Sequence, residues 1–320
     1  MKILHVSDSF FKLVLILVKL VKDFALLRKP KFMSLLAAKL FNKNSKRFHS
    51  KIRYRMAFDH NPLFVTYVDK LASRDYVSAR IGEDYLPKIF FDAERLDQES
   101  FNKLPLNVVI KVNHLSGGVL LRHAEAPLHN FKKLEKATFP RILVPPSQLD
   151  FSLARALTDK WLASRYEYAP GSGYEWAYSK VLPRVFAEEF IDYEEGSMAS
   201  DYKFFVFGNA CPYFLTVIKS GDKFSKGIYN EHGKRLRAFP GESFPNGESI
   251  PINETIKTMR ELALTLANGI DHLRVDFFVK ANRIYVGELT PYDAGGVTVC
   301  TREYEKYAGS CWKPIWKVEK

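Results

Sequence analysis

The clearest pattern in the chain lies near its C-terminal end. Arg274-Val275-Asp276-Phe277-Phe278-Val279 and Ile284-Tyr285-Val286-Gly287-Glu288-Leu289-Thr290 both alternate polar and apolar positions. Period-two alternation in two neighbouring runs predicts the arms of a β-hairpin. Arg274 and Asp276 share one face, and so do Glu288 and Thr290. An odd-numbered loop centred on Asn282 would set Asp276 opposite Glu288 and Arg274 opposite Thr290. Like charges opposed across a strand pair repel. A cation between them removes the conflict, and Mg²⁺ carrying nucleotide phosphates is a common one. The hairpin alone leaves a second reading open, two solvated carboxylates beside Arg274.

Other segments fall into place around it. Helical spacing covers 62–79 and ends near Gly82. An extended run, 105–114, leads into Ser116-Gly117-Gly118. A helix is expected at about 151–166 and a flexible break at 170–173. Strands follow at about 184–191, 202–207, 213–218 and 224–229. A Gly/Pro/Ser loop spans 240–251, and a helix at about 254–268 precedes the hairpin. Strands and helices mix without strict βαβ alternation, which predicts an α+β fold with mainly antiparallel sheets.

Composition changes this picture at one place. The net charge of +12 is concentrated in residues 1–55, which hold 14 Lys/Arg against Asp8 and Asp23; the remainder is balanced. The division expected is therefore a basic N-terminal segment, 1–55, and a folded domain, 56–320, with 42–55 as a linker between them. Residues 10–27 are apolar with Lys12, Lys19 and Asp23 on one side, and their longest charge-free run, 13–18, is too short to span a bilayer. Two readings stand: an amphipathic helix on an anionic membrane surface, or a helix packed on the domain. Cys211, Cys300 and Cys311 are too few and scattered for a disulfide framework or zinc site, so reduced cytoplasm is the expected compartment, with peripheral attachment to the inner face of the plasma membrane the variant.

Candidate chemistry gathers at three further places. Lys111 precedes the loop His114-Leu115-Ser116-Gly117-Gly118, and an ammonium beside a flexible glycine turn suits phosphate oxygens. Asp201 and Lys203 share a face of an otherwise apolar strand, where a charged pair is costly unless it binds something. Glu188 alternates with Phe186 and Phe190, which argues for burial and a task; Glu189 points the other way. No P-loop, G-x-G-x-x-G, G-x-S-x-G or H-E-x-x-H pattern occurs, and no nucleic-acid module accompanies the basic segment.

Taken in order, VIKVNHLSGG, YEWAYSKVLPRVFAEEFI, SDYKFFVFG and HLRVDFFV…IYVGELTPYDAGG resemble the TupA-like (teichuronopeptide biosynthesis) branch of the ATP-grasp superfamily. DKLASRDYVSARIGEDYLP resembles that branch's N-terminal signature, so the likeness runs from about Arg55 to Gly296. The resemblance implies two α+β lobes clamping ATP. It implies Lys111 and Lys203 on the phosphates, with His114, Ser116, Gly117 and Gly118 in the phosphate loop. Glu188 would mark the adenine hinge, with the backbone of Glu189, Phe190 and Ile191 along the base and Asp201 a ribose or phosphate-side contact. Asp276 and Glu288 would ligate Mg²⁺. Thr290 stands where many members carry Asn as the third ligand, and Arg274 would neutralise the transferred phosphate.

The implied activity is ATP- and Mg²⁺-dependent joining of a carboxylate to an amine through an acyl-phosphate, acting on a cell-surface glycan or amino-acid substrate and not on nucleic acid. Two alternatives stand beside it: a kinase or glycosyltransferase of polysaccharide assembly, and a non-catalytic membrane-surface module built on residues 1–55.

Overall fold

The computed structural model describes residues 44–128, 140–166, 175–191, 201–220, 223–241 and 249–317. The readings of 10–27 as a membrane-surface helix and of 170–173 as a flexible break lie outside the described residues.

Three helices open the described chain: α1 (Phe48–Phe58), α2 (Leu63–Val68) and α3 (Ala72–Ile81). The helix expected over 62–79 is split because the Asp69 carboxylate accepts from the backbone N–H of Leu71 and Ala72, at 2.9 and 3.3 Å, and starts a new helix there. A first lobe follows with β1 (Ile89–Ala93), α4 (Gln98–Asn102), β2 (Val108–Val112), β3 (Val119–Arg122), β4 (Arg141–Val144), α5 (Phe151–Leu162) and β5 (Val185–Glu189). The sheet order is β1-β5-β2-β3-β4, antiparallel except for the β3–β4 pair. The side chains of α4 and α5 close its core, with Trp161 and Leu115 among the buried residues.

The second lobe carries β6 (Asp201–Phe207), β7 (Ala210–Ser220), β8 (Lys223–Asn230), β9 (Arg235–Leu236), α6 (Glu254–Leu266), β10 (Leu273–Lys280), β11 (Arg283–Thr290), a 3-10 turn at Asp293–Gly296 and α7 (Arg302–Cys311). Its sheet order is β11-β10-β6-β7-β8-β9, antiparallel throughout. Helix α6 covers one face, where Phe204 and Ile256 border a common cavity. Helices α1 and α7 cover the other: Phe48 packs edge-on against Phe205 and Phe207, and Tyr304 against Tyr213. The α+β class with mainly antiparallel sheets is thus what the chain adopts. Cys211 is buried, and Cys300 and Cys311 are partly so.

The hairpin has the expected register at its functional end but reaches it differently. Asp276 pairs with Glu288 and Arg274 with Thr290. The turn itself holds only Ala281 and Asn282, both with positive φ (48° and 61°), as a two-residue hairpin loop demands. A bulge between Asp276 and Phe277 restores the parity. Gly287 is the extra residue there. A Cβ on it would lie 2.5 Å from the Phe278 ring, so only glycine lets that ring lie across the bulge.

The linker expected over 42–55 is corrected by α1, which begins at Phe48 and is mostly buried. Its basic residues made it look solvent-loving, yet they are satisfied inside. Arg55 is fully buried and pairs with Asp271 and, at 3.4 Å, with Asp59. Its guanidinium also lies 4.4 Å from the Trp312 ring centroid. Lys51 donates to the carbonyls of Gly309 and Trp312 at 2.6 and 2.5 Å. Arg55→Ala leaves Asp271 and Asp59 buried without their cation, and urea unfolding of the full chain should show a loss of about 3–5 kcal/mol. A change under about 0.5 kcal/mol, the size of a surface substitution, would show that α1 is peripheral.

Candidate functional site

Register places the chemistry in one row. Lys203 on β6 is directly opposite Asp276 on β10, which is opposite Glu288 on β11. The next row brings Arg274 beside Thr290. Alternation points all five side chains to one face. Asp276 is 3% exposed. Its carboxylate accepts from Lys203 Nζ at 2.7 Å and from Arg274 Nε and Nη2 at 2.7 and 2.8 Å. Burial would raise its pKa, but Arg274 and Lys203 outweigh it and hold the carboxyl below its ordinary value. Lys203 also reaches Asp201 at 3.0 Å. Burial opposes the Lys203 charge, yet Asp276 and Asp201 bring its pKa out above the ordinary lysine value. Arg274 further contacts Glu288 at 3.7 Å, Thr290 Oγ1 at 3.3 Å and Asp293 at 2.5 Å.

The like-charge pair of Asp276 and Glu288 is therefore bridged here by Arg274, a cation of the chain itself. Asp276, Glu288 and Thr290 offer oxygen donors only, the set that suits Mg²⁺. The Glu288 side chain, 39% exposed, is the accessible member. These residues fit the metal the resemblance implies.

In the first lobe, Lys111 and Glu188 share a face of β2 and β5. Lys111 Nζ bonds Glu188 Oε1, over the Phe186 ring, while Arg74 Nη1 reaches Glu188 Oε2 at 3.3 Å. The expected phosphate lysine and the expected hinge acid are thus one ion-paired group. Glu188 is buried as alternation required; Glu189 is half-exposed and accepts from Lys88 N–H at 3.4 Å. Phe190 lies against His123, with centroids 5.1 Å apart, and Ile191 follows it. His114 departs from its expected place beside a ligand. Its ring is buried, with Nε2 3.1 Å from the Ser164 carbonyl. Ser116 is exposed, and Gly117 and Gly118 hold φ of 103° and 65°.

Four residues that pattern reading missed stand between the lobes. Lys70 donates to the carbonyls of Leu115 and, at 3.5 Å, Asn113, tying the α2–α3 junction to the glycine loop. Burial, with Lys111 and Arg141 nearby, lowers its pKa to about 8 against the pull of Glu288 and Asp69. Arg74, one turn on, holds Glu188. Glu175 is buried, and burial together with the Glu288 charge raises its carboxyl well above the usual range. Tyr166, packed on both cores, hydrogen-bonds Glu175 and Ser116. Lys70 and Arg74 had a trace in the sequence as part of the 69–87 signature and Glu175 as part of YEWAYSKVLPRVFAEEFI, while Tyr166 had none; no local pattern marks a cleft assembled from separate segments.

Two lobes whose sheets carry lysines, a glycine loop and an acidic hairpin are the arrangement that the resemblance to ATP-grasp proteins implies. The TupA-like ATP-grasp family model matches residues 50–313, and the chain belongs to that family. Among solved structures, D-alanine–D-alanine ligase from Bacillus anthracis with ATP is similar at 14% identity, covering 71% of this chain and 56% of that one, with a TM-score of 0.37. The ATP-grasp ligase PsnB with its minimal precursor is similar at 10% identity, covering 76% and 58%, with a TM-score of 0.40. D-alanine–D-alanine ligase from Helicobacter pylori is similar at 13% identity, covering 78% and 62%, with a TM-score of 0.37. No curated protein matches the sequence. Among the described residues no helix is long and apolar enough to cross a membrane.

The Asp276 pairing carries a pH signature. A carboxyl lowered in the folded state stabilises it above the unfolded aspartate pKa, and that stability is lost as pH falls through the folded value. At pH 7, Asp276→Asn takes the shared carboxylate from Lys203 and Arg274, which keep only Asp201, Asp293 and Glu288, and should cost about 3–5 kcal/mol. Below about pH 4 the gap to the wild type should narrow as Asp276 itself protonates. Urea midpoints at pH 7 and pH 3 measure it; a pH-independent gap would contradict the ion-pair account.

Proposed function

We propose that the chain is an ATP- and Mg²⁺-dependent carboxylate–amine ligase. The observation that carries this reading is the row Lys203–Asp276–Glu288 with Arg274 and Thr290. It gathers two cations, two carboxylates and a hydroxyl on one face and contains no side-chain nucleophile. That set suits transfer of a phosphoryl group to an acid brought from outside. A substrate carboxylate oxygen attacks the terminal phosphorus of ATP and ADP leaves. An amine then attacks the acyl carbon and inorganic phosphate leaves.

In this reading Lys203 and Lys111 contact phosphate oxygens, and Ser116, Gly117 and Gly118 offer backbone N–H groups across the cleft. Lys111 reaches the nucleotide by giving up part of its bond to Glu188. Arg274 neutralises charge on the transferred group. Glu188 to Ile191, with Asp201 nearby, line the base and ribose. Asp276, Glu288 and Thr290 would hold Mg²⁺, which supplies charge neutralisation on the phosphates. Lys70, tied to the glycine loop, adds a cation facing Glu288. Glu175, whose carboxyl burial raises well above its ordinary range, is biased toward the neutral form, which can donate a hydrogen bond to an incoming acid.

The substrate we assign is a cell-surface glycan precursor bearing a uronic acid, to which an amino acid is joined. The family's association with teichuronopeptide assembly supports it. The reaction takes place in the cytoplasm.

The purified full chain should bind Mg-AMP-PNP, and with Mg-ATP, a uronic acid and hydroxylamine it should give a hydroxamate, ADP and phosphate. Glu288→Gln, at a half-exposed position, should fold normally and lose on the order of 100-fold or more in turnover. Lys70→Met should weaken Mg-AMP-PNP binding. Unchanged turnover in Glu288→Gln would sink the metal assignment. A phosphorylated sugar as product would make it a kinase, use of a nucleotide-sugar without ATP a glycosyltransferase, and no nucleotide binding at all a non-catalytic module.

A further inference from the structure

The run Thr290-Pro291-Tyr292-Asp293-Ala294-Gly295-Gly296 starts on the last residue of β11, and the nucleotide reading uses only that residue. Ala294, Gly295 and Gly296 hold φ of 47°, 58° and 66°. Alanine in the left-handed region costs of order 1 kcal/mol and persists only where its surroundings impose it. Here α1 imposes it. A Cβ on Gly296 would lie 2.8 Å from Arg53 Cγ and 3.0 Å from the His49 carbonyl oxygen. Arg53 Nη1 donates to the Gly296 carbonyl at 2.5 Å.

The turn so held presents Asp293 to two cations. Oδ1 accepts from Arg274 Nη1 at 2.5 Å, and Oδ2 lies 3.6 Å from His49 Nε2. On its other side the His49 ring nitrogen Nδ1 bonds Glu305 of α7, and the His49 backbone N–H donates to the same carboxylate at 3.2 Å. His49 is 3% exposed. The chain of contacts therefore runs Glu305–His49–Asp293–Arg274–Asp276 through four separate elements. Cys300 Sγ, His49 and Glu305 also come within 4.8 Å of one another. Both imidazole nitrogens already face carboxylates, so the cluster is an ion-pair relay.

We propose that His49 is a positioning residue: clamped between Glu305 and Asp293, it fixes the Asp293 carboxylate and through it aims the Arg274 guanidinium along the Lys203–Asp276–Glu288 row. The inference rests on the ligase reading only for what Arg274 then does. Its physical basis is that Arg274 faces Asp276, Glu288 and Asp293 together. The direction of its fork depends on how firmly each acid is anchored, and Asp293 owes its second anchor to His49.

Burial alone would lower the His49 pKa, but Asp293 and Glu305 raise it to about 9. The groups facing it are Asp293 from the turn, Glu305 from α7, Cys300 from the approach to α7 and Arg53 from its own helix, with Arg274 beyond Asp293. A histidine raised in this way is charged at neutral pH. Its pairing is complete below about pH 6.5 and is lost as pH rises through about 9. The relay is therefore intact at neutral pH, and Asp293 loses one of its two cations in alkali.

Two measurements on the full chain test this. In side-chain NMR of the wild type, the His49 imidazole should titrate near pH 9, and the Arg274 Nε–H signal should shift in step with it. In kinetics with Mg-ATP, His49→Gln should lower kcat by about 10- to 100-fold. KM for ATP should stay within about twofold, and the alkaline fall in kcat should disappear. Asp293→Asn should reproduce the kcat loss and serves where His49→Gln does not fold. An Arg274 signal indifferent to the His49 titration overturns the proposal, as does a folded His49→Gln with wild-type kcat and pH profile. A wild type that never turns over ATP removes the ligase reading instead, and the NMR arm still decides whether His49 governs Arg274.

Discussion

Asp276 is a carboxylate with almost no contact with water, and the second lobe is arranged around the cost of keeping it charged there. Isolated burial of such a charge is prohibitive. Lys203 from the neighbouring strand and Arg274 two residues earlier supply the compensation, at contact distances of 2.7–2.8 Å. Those contacts exist only if β6, β10 and β11 keep one register, which in turn depends on the two-residue turn and the bulge at Gly287. A slip of one residue would turn Arg274, Asp276, Glu288 and Thr290 into the apolar layer under α6. Packing and site chemistry are for this reason enforced by the same backbone pairing.

The site is also tied outward. Arg274 engages Asp293, Asp293 faces His49, and His49 belongs to the helix that first seemed a linker. The basic character of that helix serves the interior of the domain: Arg55, Lys51, Arg53 and His49 all end on buried carbonyls or carboxylates. Part of the charge excess that suggested a membrane surface is thus spent on internal partners.

Across the cleft the first lobe answers with its own balance. Glu188 is shared between Lys111 and Arg74, and Lys70 holds the glycine loop by its carbonyls. Burial and the nearby Glu288 charge push the Glu175 carboxyl well above its ordinary range. The cleft therefore combines cations on both walls with acids that are paired or pushed toward their neutral form by burial, an electrostatic setting that suits a polyphosphate.

The sequence by itself determined β2, β5 to β8, the acidic hairpin of β10 and β11, the helical stretches of α2–α3, α5 and α6, and the fold class, because side-chain alternation and end signals are local; the short strands β1, β3, β4 and β9 and the helices α1, α4 and α7 carried no such signal. It pointed to the right facing pairs on the hairpin only on the expectation of an odd loop; the turn has two residues, and the bulge at Gly287 is what restores that pairing. Only the tertiary structure decided that 48–58 is core, that His114 turns inward, that Lys111 and Glu188 pair, and that Lys70, Glu175, His49 and Asp293 attend the site. These depend on segments 45 to 256 residues apart meeting in space, and a charged side chain carries the same letter whether it meets water or a buried partner.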